Sequence, residues 1–182
     1  MIPPGEGPLP FERLGRTVKP SRTLFFAEFR KADELVATLT FPTKHFVAML
    51  AWDSTNEDVT SISRVAELLI RAGCAYVVAW GEGCERVHDI VDEDLVELEL
   101  GLDPSRPEAM PMPGPNPFAA YPHVMTSWHA DEPLDEVLDF FLGDTFPVDE
   151  FELTCGSAVV IAIGQPRDVI RQIRSRLSDP EA

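Results

Sequence analysis

Positive charge is scarce in this sequence. Its 182 residues hold 15 Lys and Arg against 31 Asp and Glu, a formal net charge of −16, and only Lys19, Lys31 and Lys44 are lysines. So acidic a surface repels phosphate backbones and anionic lipid, which argues against nucleic-acid and peripheral-membrane partners. Long apolar runs are missing too. The longer runs, such as residues 46–52 and 158–163, fall far short of the roughly 18 residues of a membrane span. The first residues, Met-Ile-Pro-Pro-Gly-Glu-Gly-Pro, have neither the basic nor the apolar region of a secretory signal. Cysteine is limited to Cys74, Cys84 and Cys155. That odd number, with no signal sequence, fits a reducing cytoplasm. The few lysines, 17 prolines and many alanines are the composition expected of a GC-rich bacterial genome.

Familiar catalytic and metal signatures are also absent. No CxxC pair occurs, and His45, His88, His123 and His129 show no HExxH spacing, so a zinc site is not expected. There is no GxSxG elbow and no P-loop. Residues 80–86, Trp-Gly-Glu-Gly-Cys-Glu-Arg, hold two glycines of a dinucleotide fingerprint but place Arg86 at the third. Glu82 and Glu85 put negative charge where a phosphate would sit. The segment therefore reads as a tight turn whose glycines permit positive φ, and no cofactor is expected.

With 45% hydrophobic and 25% charged residues, the composition is globular. Residues 1–22 carry five prolines and three glycines and read as an N-terminal arm. Residues 23–182 read as one domain, and two stretches near its start, 23–29 and 35–41, have strand-like content. Residues 46–52, 74–80, 123–128 and 158–163 are apolar runs of strand length, and a weaker short strand is suggested at 148–154. Helical spacing appears in 58–72, with Thr55 and Asp58 as a capping box and Gly73 at the C-terminal turn. It recurs from residue 84, in 134–143 after Pro133, and in 166–177. Residues 92–102 suit either an edge strand or a continuation of the preceding helix. Seven prolines in residues 103–122 predict a loop. Unbroken apolar strands alternating with helices indicate strands buried on both sides. The expected fold is a three-layer, Rossmann-like or flavodoxin-like α/β domain with a mostly parallel sheet and helices on both faces.

In such sheets ligands bind beyond the carboxyl ends of the strands. All three tryptophans, Trp52, Trp80 and Trp128, fall at expected strand ends. They and their successors predict a ligand rim of Trp52, Trp80, Trp128 and Asp131, with Asp53, Cys84 and His129 as candidate catalytic residues. Cys84 at a helix start would have a lowered pKa, and His129 would serve as its base. His129 is expected to be partly buried and bonded to Asp53 or Asp131. Asp131 or Glu132 would cap the following helix.

Charge is also segregated. Nine acids and no Lys or Arg lie in residues 131–152, and nine more, opposed only by Arg86, lie in 82–103. Such a face can steer and dock a basic partner. The sequence thus points first to an acidic binding protein for a basic protein partner, of the kind an immunity-type inhibitor or regulator would be. The alternative is a small-molecule-binding or hydrolytic enzyme using the strand-end rim.

Overall fold

A computed structural model describes residues 11–36, 41, 43–100 and 124–179. Six strands and six helices occur in the order β1 (Glu12–Arg16), β2 (Thr23–Phe29), α1 (Ala32–Val36), β3 (His45–Trp52), α2 (Val59–Arg71), β4 (Cys74–Trp80), α3 (Cys84–Glu99), β5 (Met125–His129), α4 (Leu134–Gly143), α5 (Asp149–Glu152), β6 (Cys155–Ile163) and α6 (Arg167–Ser178). The strands form one sheet in the order β1-β2-β6-β3-β4-β5. Every neighbouring pair is parallel except β1 and β2. The fold is α/β with a mostly parallel sheet. No described helix is long and apolar enough to cross a membrane.

The apolar runs at residues 46–52 and 158–163 lie within the two middle strands, β3 and β6. Both are buried on each side, which is why their sequences show no polar alternation. Period 2 divides β3 between two hydrophobic clusters. Phe46, Ala48, Leu50 and Trp52 pack with Ile62, Val65 and Leu69 of α2 and with Val87, Ile90 and Leu98 of α3. Val47, Met49 and Ala51 pack with Val137, Leu138 and Phe141 of α4 and Ile170, Ile173 and Leu177 of α6. Each Leu or Ile so enclosed contributes about 1.5–3 kcal/mol relative to exposure.

Helix α2 starts one turn later than the expected box. Asp58 is itself the N-cap, accepting the Ser61 N–H at 2.7 Å. Thr55 instead donates its backbone N–H to Asp53 Oδ1 at 3.1 Å. Gly73 does follow the helix, at φ +93°, and its N–H donates to Ile70 O. A Cβ there would collide with the Lys44 carbonyl, so left-handed backbone and close approach both demand glycine.

Several expectations are corrected. Residues 149–152 form the single turn α5, not a strand. Asp149, Glu150 and Glu152 leave too few apolar residues to alternate there. Residues 92–99 continue α3, because Leu95 and Leu98 reach the core while Val96 is exposed. Leu35 and Val36 end α1, whereas residues 37–40 and 42 lie outside the described residues. The arm expected over 1–22 includes β1, which pairs with β2 at the sheet edge. The third expected strand runs from Met125 to His129, and its proposed start, His123, lies outside the described residues, as do residues 103–122.

One buried acid joins the two helices of the first cluster. The Ser63 hydroxyl of α2 shares its one proton between the two carboxyl oxygens of Asp94 of α3, at 2.8 and 2.7 Å. Burial pushes its carboxyl up from the ordinary 3.8 to about 7; nearby Glu97, Glu67 and Glu93 add to the rise, and Ser63 opposes it. A carboxyl raised on folding leaves stability intact below its unfolded pKa and removes it as pH rises through the folded one. Asp94→Asn keeps an acceptor for Ser63 and removes the charge. It should raise stability by about 1–2 kcal/mol at pH 8, a value discounted for solvent screening. In urea melts across pH, that gain should shrink from pH 7 downward and vanish near pH 4.

Candidate functional site

The carboxyl ends of β3, β4, β5 and β6 are level. Trp80 pairs with His129 and with Ala51, and Trp52 pairs with Ile163. Beyond them the chain diverges. The segments after β3 and β4 lead to α2 and α3 in one cluster, and those after β5 and β6 lead to α4 and α6 in the other. Connections leaving a parallel sheet in opposite directions open a crevice at its edge. A cleft of about 540 Å³ occupies that place, lined by Asp53 after β3, by residues 80–85 after β4, by 129–132 after β5 and by 164–166 after β6.

Five of the sequence-selected residues therefore share one cavity: Asp53, Trp80, Cys84, His129 and Asp131. The other two tryptophans do not join them. Trp52 has the parity of Phe46 and Leu50, so its side chain goes into the core and is only 2% exposed. Trp128, one residue before His129, projects oppositely. It is 45% exposed and meets the His88 ring at 4.5 Å. The three-tryptophan rim is thus reduced to Trp80, whose Nε1 donates to the Glu132 carbonyl at 2.9 Å.

His129 is buried, and its acid is Glu132 rather than Asp53 or Asp131. Nδ1 lies 2.9 Å from Glu132 Oε2. Asp53 is committed to the Thr55 N–H, and Asp131 sits at φ +60°, in the left-handed turn that carries the chain into α4. The expected capping role also fails. Pro133 is the N-cap of α4, with no side-chain capping hydrogen bond. On its other side, His129 Nε2 lies 3.3 Å from Ser127 Oγ, and the ring rests 4.7 Å from Phe140. Ser127 was not singled out from sequence. Its only signal there is the i, i+2 spacing that places it beside His129 on one side of β5.

Cys84 opens α3 after Gly83, as expected, but its thiol is not activated. Burial pushes it up, Glu85 adds to the rise, and backbone N–H groups of His129, Glu85 and Cys84 itself oppose without prevailing. The helix-start effect is outweighed because the sulfur is enclosed: Cys84 is only 2% exposed. Its contact with His129 is through the backbone, while the ring nitrogens face Glu132 and Ser127. The assignment of His129 as base to Cys84 is not what the geometry offers.

The glycines of the β4 turn serve close approach. At Gly81, φ +115°, a Cβ would lie 2.5 Å from the Trp52 carbonyl. Ser54 ties the two segments together, donating its N–H to Glu82 O and its hydroxyl to Gly83 O. Arg86 is spent on the same loop, donating to Glu57 O at 2.7 Å.

The cleft's charge is one-sided. Asp53, Glu82, Glu85, Asp131 and Glu132 line it, and no Lys or Arg does. Among the described residues, no Lys or Arg ion pair engages any of these carboxylates. Nor do three His, Cys, Asp or Glu side chains among the described residues assemble as metal ligands. Glu132 is engaged by His129, and the four remaining carboxylates, with no ion pair among the described residues, favour a cationic group entering from outside.

All three cysteines are buried and free, and burial raises each thiol. In the native protein at pH 8, Cys74, Cys84 and Cys155 should each react with a disulfide reagent at least about a hundredfold more slowly than free cysteine. All three should titrate at once in denaturant. Fast native reaction at Cys84 would restore the thiol as a nucleophile.

No curated protein and no solved structure matches the chain. A family model does, over residues 28–180, with the description "Domain of unknown function (DUF7684)". That span runs from the last two residues of β2 through α6, including every segment that lines the cleft, and the chain belongs to the DUF7684 family.

Proposed function

We propose that this is a binding protein whose acidic cleft docks a basic protein partner, as an immunity-type inhibitor or regulator does. The single observation that carries the reading is the lining: five carboxylate side chains and no Lys or Arg at the crevice of the sheet's carboxyl edge. In this reading the scaffold is a three-layer, Rossmann-like domain in which two sets of helices enclose the sheet, working in the reducing cytoplasm. Exposed ion pairs contribute only about 0–1 kcal/mol each. The cluster therefore acts mainly by steering the partner in and fixing its orientation, with salt weakening both. Burial of the partner's Lys or Arg stems against Trp80 and Pro166, which also line the cleft, would supply the apolar part of the affinity.

The same cleft supports a second reading, small-molecule binding or hydrolysis, because Asp53, Cys84, His129 and Asp131 line it together.

Docking is tested by capture on the immobilised full chain from the native cell extract. A basic protein should be retained at 50 mM salt and released at 0.5 M. The triple variant Glu82→Gln/Glu85→Gln/Asp131→Asn should lose at least about tenfold in affinity, the sum of three weak charge contacts. Retention unaffected by salt or by the triple variant, or no basic protein retained, would overturn the proposal.

A further inference from the structure

The geometry points to an esterase-type relay in which Ser127 Oγ is the nucleophile, His129 its base and Glu132 the residue that positions the imidazole. The three stand in line. Glu132 Oε2 accepts from His129 Nδ1 at 2.9 Å, and Nε2 faces Ser127 Oγ at 3.3 Å. A carboxylate at Nδ1 holds the ring proton there and leaves the Nε2 lone pair toward the serine hydroxyl. That is the polarity a hydroxyl nucleophile requires, and a loose nucleophile–base contact is usual before substrate binds. This activity is independent of partner docking and replaces Cys84 by Ser127 as the reacting atom's source.

The relay is held rigidly. Ser127 and His129 share one side of β5, whose register against β4 sets Ser127 opposite Val78 and His129 opposite Trp80. His129 is only 8% exposed and its ring is braced by Phe140. The backbone of Glu132 is tied to Trp80 Nε1. Ser127 itself is half-buried, on the last strand of the sheet among the described residues. Its surroundings select the substrate. Met125 is two residues before it on the same side, Tyr76 is in register with Met125, and Tyr76 meets Phe140 edge-on at 6.4 Å. These apolar neighbours, beside an acidic cleft, suit an uncharged ester with a short or aromatic acyl group and disfavour an anionic one.

The chemistry balances without a cofactor. The Ser127 hydroxyl proton passes to His129 Nε2 as Oγ bonds to the acyl carbon. The ester C–O bond breaks, and the departing alkoxide takes the proton from Nε2. Water then gives a proton to Nε2 and adds to the acyl carbon. Oγ leaves and regains its proton.

The test uses the full chain with a fluorophosphonate probe and with p-nitrophenyl acetate. The probe should form an adduct mapped by mass to Ser127, absent in Ser127→Ala and unchanged in Ser178→Ala. Acetate release should fall by about a hundredfold in His129→Gln, as expected for loss of a general base. Glu132→Gln should slow adduct formation at Ser127 while Glu132→Asp restores it in part, a rescue that a merely structural carboxylate would not give. Thermal melts confirm that each variant is folded. The relay is overturned if no adduct forms at Ser127, or if the adduct forms equally fast in folded Glu132→Gln and His129→Gln.

Discussion

The parallel register of β6, β3, β4 and β5 is the constraint on which the site depends. Four strands that run the same way and end at the same level deliver four connecting segments to one edge. Had β6 paired antiparallel, Gly164, Gln165 and Pro166 would lie at the opposite edge and the cleft would lose a wall. The register in turn rests on burial. A slip of one residue in β3 would exchange Phe46, Leu50 and Trp52 with Val47, Met49 and Ala51 between two differently shaped clusters. Trp52 and Ala51 are not interchangeable in volume, so packing fixes the alignment.

At the edge, polar groups are divided between holding the segments and facing outward. Ser54, Arg86 and the Trp80 indole are spent on loop carbonyls. Glu132 is spent on His129. Asp53, Glu82, Glu85 and Asp131 keep their charges toward solvent. The outcome is an anionic mouth above a braced imidazole. These two features can serve different ends: the proposed docking would use exposed carboxylates, and the proposed acyl transfer would use the hydrogen-bonded line through the buried His129. Burial also quiets Cys84, because desolvation penalises a thiolate.

Much of this was legible in the chain. Unbroken apolar runs at 46–52, 74–80 and 158–163 identified buried parallel strands, because two-sided burial erases polar alternation. Strand-end position brought Asp53, Trp80, Cys84, His129 and Asp131 to one cavity, since parallel strands share a carboxyl edge. The misplacements share a cause. Trp52 and Trp128 were placed by where strands end, yet a strand's last side chain points by parity. Trp52 went into the core and Trp128 against His88. Asp131 and Glu132 were alike on paper, and only the left-handed turn at Asp131 turned Glu132 toward the imidazole.

The sequence by itself determined element type and chemistry: which segments are strands, where glycine must stand, and that the surface is acidic. These follow from local periodicity, backbone stereochemistry and composition, which need no knowledge of neighbours. Tertiary structure alone decided that the last strand, β6, enters the sheet between β2 and β3, and that the first strand, β1, is an antiparallel edge. It alone decided that Ser127, His129 and Glu132 stand in line. Such choices depend on long-range packing between segments far apart in the chain, and nothing in the residues adjacent to each encodes which partner will fill the space beside it.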